Sequence, residues 1–199
     1  MREVGGVWKR AKLTAQGDAP QRVEKLARIR WLFEQLSPKQ LLLVADELDI
    51  HLLAKVGYQR MSKGTQLEVI TPSTNEKNYL AGALDIVTGK LLHCVWFRKT
   101  SGLFIDLLKL IDATYSACDC TRIFMVVDNY KIHKAKAVGQ WLQRHPRIES
   151  VYLPTYCPKS NPIERAFGDV QDECTRNHRH QRLRDLVGDV IKHLHVNGP

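Results

Sequence analysis

The stretch IFMVVDN, at residues 123–129, is an apolar run of five residues that ends abruptly in an acid and an amide. A run of this length and composition is typical of a strand buried on both faces of a sheet. The sequence then predicts a helix over 134–145, a strand over 149–154, and a helix that begins near Asn161 and Pro162. This strand–helix–strand–helix order predicts parallel strands joined by a crossover connection.

Three carboxylates fall at the ends of these elements. Asp128 follows the 123–127 run, and Asp46 follows a similar apolar run, LLLVA, at 41–45. Glu164 lies in the first turn of the predicted helix, with 35 residues between it and Asp128. Because ligands of open α/β sheets bind at the carboxyl ends of the strands, we expect the three acids to share one site.

Strand alternation separates the neighbouring acids Asp46 and Glu47. Asp46 shares a face with Val44 and Leu48, whereas Glu47 points the other way with the next polar residues of the strand. We therefore predict that Asp46 is the acid on the apolar side. A carboxylate there is costly to bury unless it is paired or metal-bound, so the acids predict a site for Mg²⁺ or Mn²⁺. Two such ions, about 3.5–4 Å apart, suit in-line phosphoryl displacement.

Each candidate also has a structural explanation. Glu164 can be a capping-box residue, and Asp46 and Asp128 can accept backbone hydrogen bonds in turns. His133 either orients a water or a phosphate near Asp128, or it packs or caps. Three further residues, Cys174, His178 and His180, are either surface residues or an incomplete zinc site.

Composition narrows the class of protein. The 199 residues are 44% hydrophobic, with no apolar run of membrane-spanning length and no apolar core near the N-terminus. The five cysteines lack CxxC pairs, which indicates reduced thiols, and we expect a cytosolic protein. The formal charge of +9 favours a polyanionic partner, although a basic surface can also be simply solvated.

The rest of the chain completes an α/β layer sandwich. Residues 1–40 form an arm and a linker helix (21–36, with Val23, Leu26 and Phe33 on its apolar stripe), and 41–199 form one domain. Within that domain the sequence predicts three antiparallel strands before the parallel ones, with helices flanking the mixed sheet. The other predicted elements are a short strand at 67–71, a hairpin at 79–87 and 90–97, and helices at 101–117 and 183–195.

Three blocks of this sequence resemble the catalytic blocks of the DDE transposases of the mariner superfamily, in particular its bacterial insertion-sequence branch. They are LLLVADELDI (41–50), MVVDNYKIHK (125–134) and LPTYCPKSNPIERAF (153–167), and the resemblance extends over 41–194. It implies a ribonuclease H-like fold and a metal-dependent activity that cuts and transfers DNA strands, commonly into TA dinucleotides.

The resemblance also implies roles for single residues. Asp46, Asp128 and Glu164 match the catalytic triad that binds the metal ions, and the positions around it are matched by Asn129, His133, Asn161 and Pro162. The implied partners are double-stranded DNA and a second copy of the chain in a synaptic complex, in a bacterial cytoplasm and at the nucleoid when DNA is bound. The candidate DNA contacts are Lys131, Lys134, Arg165, Arg176 and Arg179.

The family normally has helix-turn-helix domains ahead of the catalytic core, and 45 residues before Asp46 leave little room for them. We therefore expect an N-terminally truncated chain. This leaves three hypotheses: an active transposase core, a remnant that binds DNA without turnover, or a ribonuclease or junction nuclease on the same fold.

Overall fold

A mixed sheet of five strands forms the centre of the computed structural model, which describes residues 20–70, 72–154 and 161–196. The strands are β1 (Gln40–His51), β2 (Lys77–Asp85), β3 (Leu91–Trp96), β4 (Arg122–Val127) and β5 (Ile148–Tyr152). Their order across the sheet is β3-β2-β1-β4-β5, in which β1 to β3 are antiparallel and β4 and β5 are added parallel to β1. The predicted mixed sheet is confirmed.

Helices cover both faces of the sheet. They are α1 (Pro20–Glu34), α2 (Ser101–Thr114), α3 (Lys136–Arg144), α4 (Ile163–Val170) and α5 (Leu183–Val196). A π-helical segment, Gln171–Thr175, continues α4. In the part of the chain that the structure describes, no helix is long and apolar enough to cross a membrane.

The central strands are buried on both faces, which explains their continuous apolar runs. On one face, Leu43, Met125 and other odd-numbered residues of β1 and β4 pack against α2 and α3. On the other, Leu42 and Val126 belong to a second core built with α1, α4 and α5. Each of the two strands therefore contributes alternate residues to two separate cores.

Most predicted elements lie where expected, but two expectations were wrong. Residues 67–70 form no strand, because the long connection between β1 and β2 runs there without a neighbouring strand to pair with. The apolar stripe of α1 is also rotated: Val23 and Phe33 are exposed, and Leu32 is the residue that enters the core. Residues 1–19 of the predicted arm and the predicted turn at 155–160 lie outside the described residues.

A glycine lets α4 approach the sheet beside the first candidate acid. Gly82 of β2 is the register partner of Asp46 on β1. A Cβ at residue 82 would lie 2.9 Å from Cζ of Phe167 and 3.4 Å from Cδ1 of Ile163, both buried side chains of α4. The missing side chain of Gly82 therefore sets how closely α4 packs against β1 and β2.

We expect Gly82→Ala to lower the free energy of unfolding by about 1–3 kcal/mol, because the buried Phe167 ring must shift within a packed core. Gly168→Ala, in α4 itself, is the matched control, since no atom lies within 4 Å of its new Cβ. That control gains about 0.5–1 kcal/mol from helix propensity. Urea unfolding of the two variants measures both values, and equal stability of the two would contradict this account of Gly82.

Candidate active site

Asp46 and Asp128 lie at the same level on adjacent parallel strands. The pairing of β1 with β4 ends at Val44 and Val126, and each acid lies two residues further along its chain. Because β1 continues to His51, Asp46 lies within the strand rather than at its end, whereas Asp128 directly follows β4. Strand register alone therefore brings two of the three predicted acids together.

The surroundings of Asp46 disfavour its charge. The pKa of its carboxyl is raised to about 6, mainly by burial; the carboxylates of Glu47 and Asp128 also raise it, whereas a backbone hydrogen bond and Lys99 lower it. That bond is donated by the amide N–H of Glu47 to Oδ1 of Asp46, at 2.7 Å. The negative charge of ionised Asp46 is therefore only partly compensated by positive charge nearby.

Asp128 has the opposite electrostatic setting. Its Oδ1 accepts a hydrogen bond from the amide N–H of Tyr130, at 2.8 Å, and lies 3.0 Å from Nδ1 of His133. The hydrogen bond from His133 is the main cause that lowers the pKa of Asp128, although the side chain is only half-buried. Asp128 therefore stays ionised at neutral pH.

His133 lies between two carboxylates and is fully buried. Its Nε2 is 2.9 Å from Oε1 of Glu47, and the ring packs against Phe104 with the ring centroids 4.5 Å apart. Burial alone would lower the pKa of His133, but the hydrogen bonds to Asp128 and Glu47 outweigh it and raise the pKa to about 9. The imidazolium therefore donates from both ring nitrogens at neutral pH.

Glu47 is the residue that sequence reasoning missed. Strand alternation correctly places Glu47 on the face opposite Asp46. That face, however, is covered by a second hydrophobic core, and only 2% of the Glu47 side chain is exposed. Lys99, which precedes α2, approaches its other oxygen, with Nζ 3.5 Å from Oε2. The signal was present in the uninterrupted apolar run at 41–45, which indicates burial of both faces of β1.

Asn161 connects the start of α4 to Asp46. The buried amide donates from Nδ2 to Oδ2 of Asp46, at 3.0 Å, and its Oδ1 accepts a hydrogen bond from the N–H of Ile163, at 3.3 Å. The helix begins at Ile163, with Pro162 in helical conformation just before it, so the predicted start is correct to within two residues. Asn161 thereby fixes the helix end that carries the third acid.

Glu164 lies in the first turn of α4, as predicted, and its side chain is exposed. Partial burial raises its pKa. Over residues 20–70, 72–154 and 161–196, no three His, Cys, Asp or Glu side chains form a group that could hold a metal ion. The structure thus brings Asp46 and Asp128 to one place and Glu164 to the adjoining helix end, without closing the three acids into a metal-binding geometry.

The other predicted site residues fall into two groups. Asn129 braces the loop after β4: its Nδ2 donates to the carbonyl of Leu153, at 2.5 Å, and its Oδ1 accepts from Nζ of Lys134, at 2.8 Å. Lys131, Lys134 and Arg165 are exposed on the segments that carry Asp128 and Glu164. In contrast, Arg176 and Arg179 lie beyond the end of α4, with Arg176 against Gly57 and paired with Asp172.

The Cys174, His178 and His180 cluster is held by ordinary hydrogen bonds. His180 lies 3.1 Å from a carboxylate oxygen of Asp189, and its amide N–H donates to Nδ1 of His178, at 3.2 Å. Sγ of Cys174 lies 4.0 Å from the backbone carbonyl of Asp189. Nε2 of His178 is buried and has no hydrogen-bond partner among the described residues, and the three side chains are not grouped there as metal ligands.

A family model described as DDE superfamily endonuclease matches residues 41–187. The insertion element IS630 uncharacterized 39 kDa protein of Shigella sonnei is 38% identical over 195 residues, which cover 98% of this chain and 56% of that protein. The chain therefore spans just over half the length of this relative.

Solved structures of the Mos1 transposase share the fold. The Mos1 paired-end complex with the left transposon end matches with a TM-score of 0.70 and 13% identity, over 98% of this chain and 61% of the Mos1 chain. The catalytic domain of Mos1 mariner transposase matches with a TM-score of 0.63 and 12% identity, over 95% and 86% of the two chains. These matches confirm the ribonuclease H-like fold, and the family model over 41–187 shows that the chain belongs to the DDE superfamily of endonucleases.

Proposed function

We propose that this chain is the catalytic core of an insertion-element transposase that cuts DNA strands and joins them to a target. One observation carries the proposal: Asp46 and Asp128 lie level on adjacent parallel strands, and Asn161 ties the helix end that bears Glu164 to Asp46. Three acids from two strands and the following helix are the arrangement that the resemblance assigns to the catalytic triad.

The charges of the site fit divalent cations. Asp46 is a mostly buried carboxylate beside two others, which is the setting in which a bound cation offsets the cost of burial. Asp46, Asp128 and Glu164 would supply hard oxygen ligands for Mg²⁺ or Mn²⁺, and we propose two ions. When bound, such ions activate water and stabilise charge on the reacting phosphate. Mos1 complexes were solved with Mn and with Mg.

The chain's own residues orient these acids and face the substrate. Asn161 holds one oxygen of Asp46, and His133 holds one oxygen of Asp128. We propose that the exposed cations on the same segments, Lys131, Lys134 and Arg165, contact phosphates of double-stranded DNA. By analogy with the Mos1 paired-end complex, we propose that two copies of the transposase hold two DNA ends, in the cytoplasm and at the nucleoid of a bacterium.

A second candidate is a DNA-binding chain without turnover. It is favoured by the absence, among the described residues, of three ligands already grouped around a metal position. The ribonuclease H-like fold also suits a nuclease that acts on RNA–DNA hybrids or branched DNA, which is the third candidate.

We expect the purified chain to nick plasmid and oligonucleotide DNA with Mg²⁺ or Mn²⁺. Asp128→Ala, Asp46→Ala and Glu164→Ala should each lower the cleavage rate on the order of 10³-fold or more, because each removes a ligand of the ions that stabilise the transition state. Asp169→Ala is the matched control, an exposed acid five residues beyond Glu164 on α4, and it should cut normally.

The outcomes separate the three candidates. If Asp128→Ala cuts DNA as fast as the wild type, the proposed mechanism is wrong. A folded wild-type chain that binds DNA but cuts with neither metal would support the second candidate, and preferential cutting of RNA–DNA hybrids or branched DNA would support the third.

A second prediction concerns the metal-free protein. Because the pKa of Asp46 is higher in the folded chain (about 6) than in the unfolded chain, ionisation of Asp46 destabilises the fold progressively as pH rises from about 4 to about 6. Asp46→Asn lacks this effect, although its side chain keeps only one of the two oxygens that accept from Glu47 and Asn161. Relative to the wild type, Asp46→Asn should therefore gain about 1–3 kcal/mol of stability between pH 4 and pH 7.5.

Thermal unfolding of both proteins in a chelator, at pH 4 and pH 7.5, measures this difference. The difference in stability should shift in favour of Asp46→Asn from pH 4 to pH 7.5, and Mg²⁺ should raise the melting temperature of the wild type more than that of Asp46→Asn. Asp169→Asn controls for the loss of one exposed acid. A difference of equal size at both pH values would show that ionisation of Asp46 does not destabilise the fold.

A further inference from the structure

Glu47 is a buried carboxylate to which the proposed mechanism gives no role. The residues that precede it on the same face of β1, Leu43 and Ala45, and Met125 on the same face of β4, are apolar and buried. A buried ion pair is commonly no more stabilising than an apolar side chain of similar volume. Fold stability alone therefore does not require an acid–histidine pair at this position.

Each carboxylate oxygen of Glu47 lies close to a basic side chain. Oε1 lies 2.9 Å from Nε2 of His133, and Oε2 lies 3.5 Å from Nζ of Lys99. The second ring nitrogen of His133 lies 3.0 Å from Oδ1 of Asp128. These contacts form an unbroken chain, Glu47 to His133 to Asp128, which runs from β1 to the residue that follows β4.

The two ends of this series of contacts, Glu47 and Asp128, differ in exposure to solvent. The side chains of Glu47 and His133 are 2% and 0% exposed, whereas that of Asp128 is 49% exposed. Oδ1 of Asp128 accepts one hydrogen bond from the amide N–H of Tyr130, at 2.8 Å, and the contact from the imidazole adds a second restraint only if the imidazole is itself fixed. An acceptor on the far nitrogen fixes the orientation of the ring, as outer carboxylates do for histidines in metal sites.

We propose that Glu47 is a positioning residue: by anchoring His133, it holds the Asp128 carboxylate in one orientation, with Oδ1 engaged and the other oxygen left for a divalent cation. The inference rests on the proposed function, because it assumes that Asp128 is a metal ligand. It adds a fourth carboxylate, which contacts neither metal nor DNA, to the three that the resemblance assigns.

The test compares Glu47→Gln and Glu47→Leu with Asp49→Asn. Gln keeps the length and an oxygen acceptor for His133, whereas Leu has a similar volume and no acceptor. Asp49 is the matched control because it lies on the same face of β1 and also approaches Lys99, at 3.6 Å, but is exposed and is not in contact with His133. The readouts are Mn²⁺ affinity by titration calorimetry without DNA, the cleavage rate, and the melting temperature.

We expect Glu47→Leu to lower Mn²⁺ affinity and cleavage roughly 10–100-fold, the usual effect of removing the outer partner of a ligand, while the protein stays folded. Glu47→Gln should retain more of both than Glu47→Leu, and Asp49→Asn should match the wild type. A purely structural role predicts instead that affinity is lost only in proportion to the melting temperature.

A double-mutant cycle tests whether the effect passes through His133. In a His133→Gln background, Glu47→Leu should cause little further loss of Mn²⁺ affinity, because the connection to Asp128 is already broken. Independent, multiplicative losses from the two substitutions would overturn the proposal, as would unchanged Mn²⁺ affinity in folded Glu47→Leu. If the wild-type chain binds no Mn²⁺ and cuts no DNA, the proposed function fails, and this inference fails with it.

Discussion

The structure depends on placing carboxylates at the centre of a sheet whose strands are buried on both faces. Asp46 and Asp128 reach this position because β1 and β4 are adjacent and in register, so the same pairing that buries Val44 and Val126 also brings the acids level. Burying each additional negative charge there costs free energy, and the contacts that offset this cost differ between the two faces of the sheet.

On the face covered by α4, the helix packs closely against the strands, and the side-chain amide of Asn161 contacts Asp46. Gly82 leaves space for the side chains of Ile163 and Phe167, so the helix lies close against the strands that carry Asp46. Asn161 then supplies a neutral donor to the carboxylate. A neutral partner orients Asp46 without cancelling its charge, which is consistent with the raised pKa of that residue. On the face of α2, His133 and Lys99 do cancel charge, and Glu47 is buried between them.

Much of this architecture was predictable from local patterns. The apolar runs at 41–45 and 123–127 are long and sharply bounded, so the central strands and the two strand-borne acids followed directly from them. Asn161 and Pro162 likewise indicated the start of α4.

The burial of Glu47 was not predicted, because alternation tells only that two residues face opposite ways, and the helix that covers the second face comes from residues 101–114, far along the chain. The rotated stripe of α1 has a similar origin, since its own sequence offers apolar residues in more than one direction and the sheet decides which of them, Leu32, is buried.

The two strand-borne acids end with opposite electrostatic settings, and this asymmetry is itself informative. A protonated histidine lowers the pKa of Asp128, whereas burial and neighbouring carboxylates raise that of Asp46. If both acids were paired with cationic side chains, the site would lose most of its negative charge and would attract metal ions less strongly. If neither were, the fold would have to bury several uncompensated charges at once. Pairing one acid internally and leaving the other with a neutral donor keeps the metal-free fold stable while preserving a negative centre, and in pairs of carboxylates such divided environments commonly mark divided chemical roles.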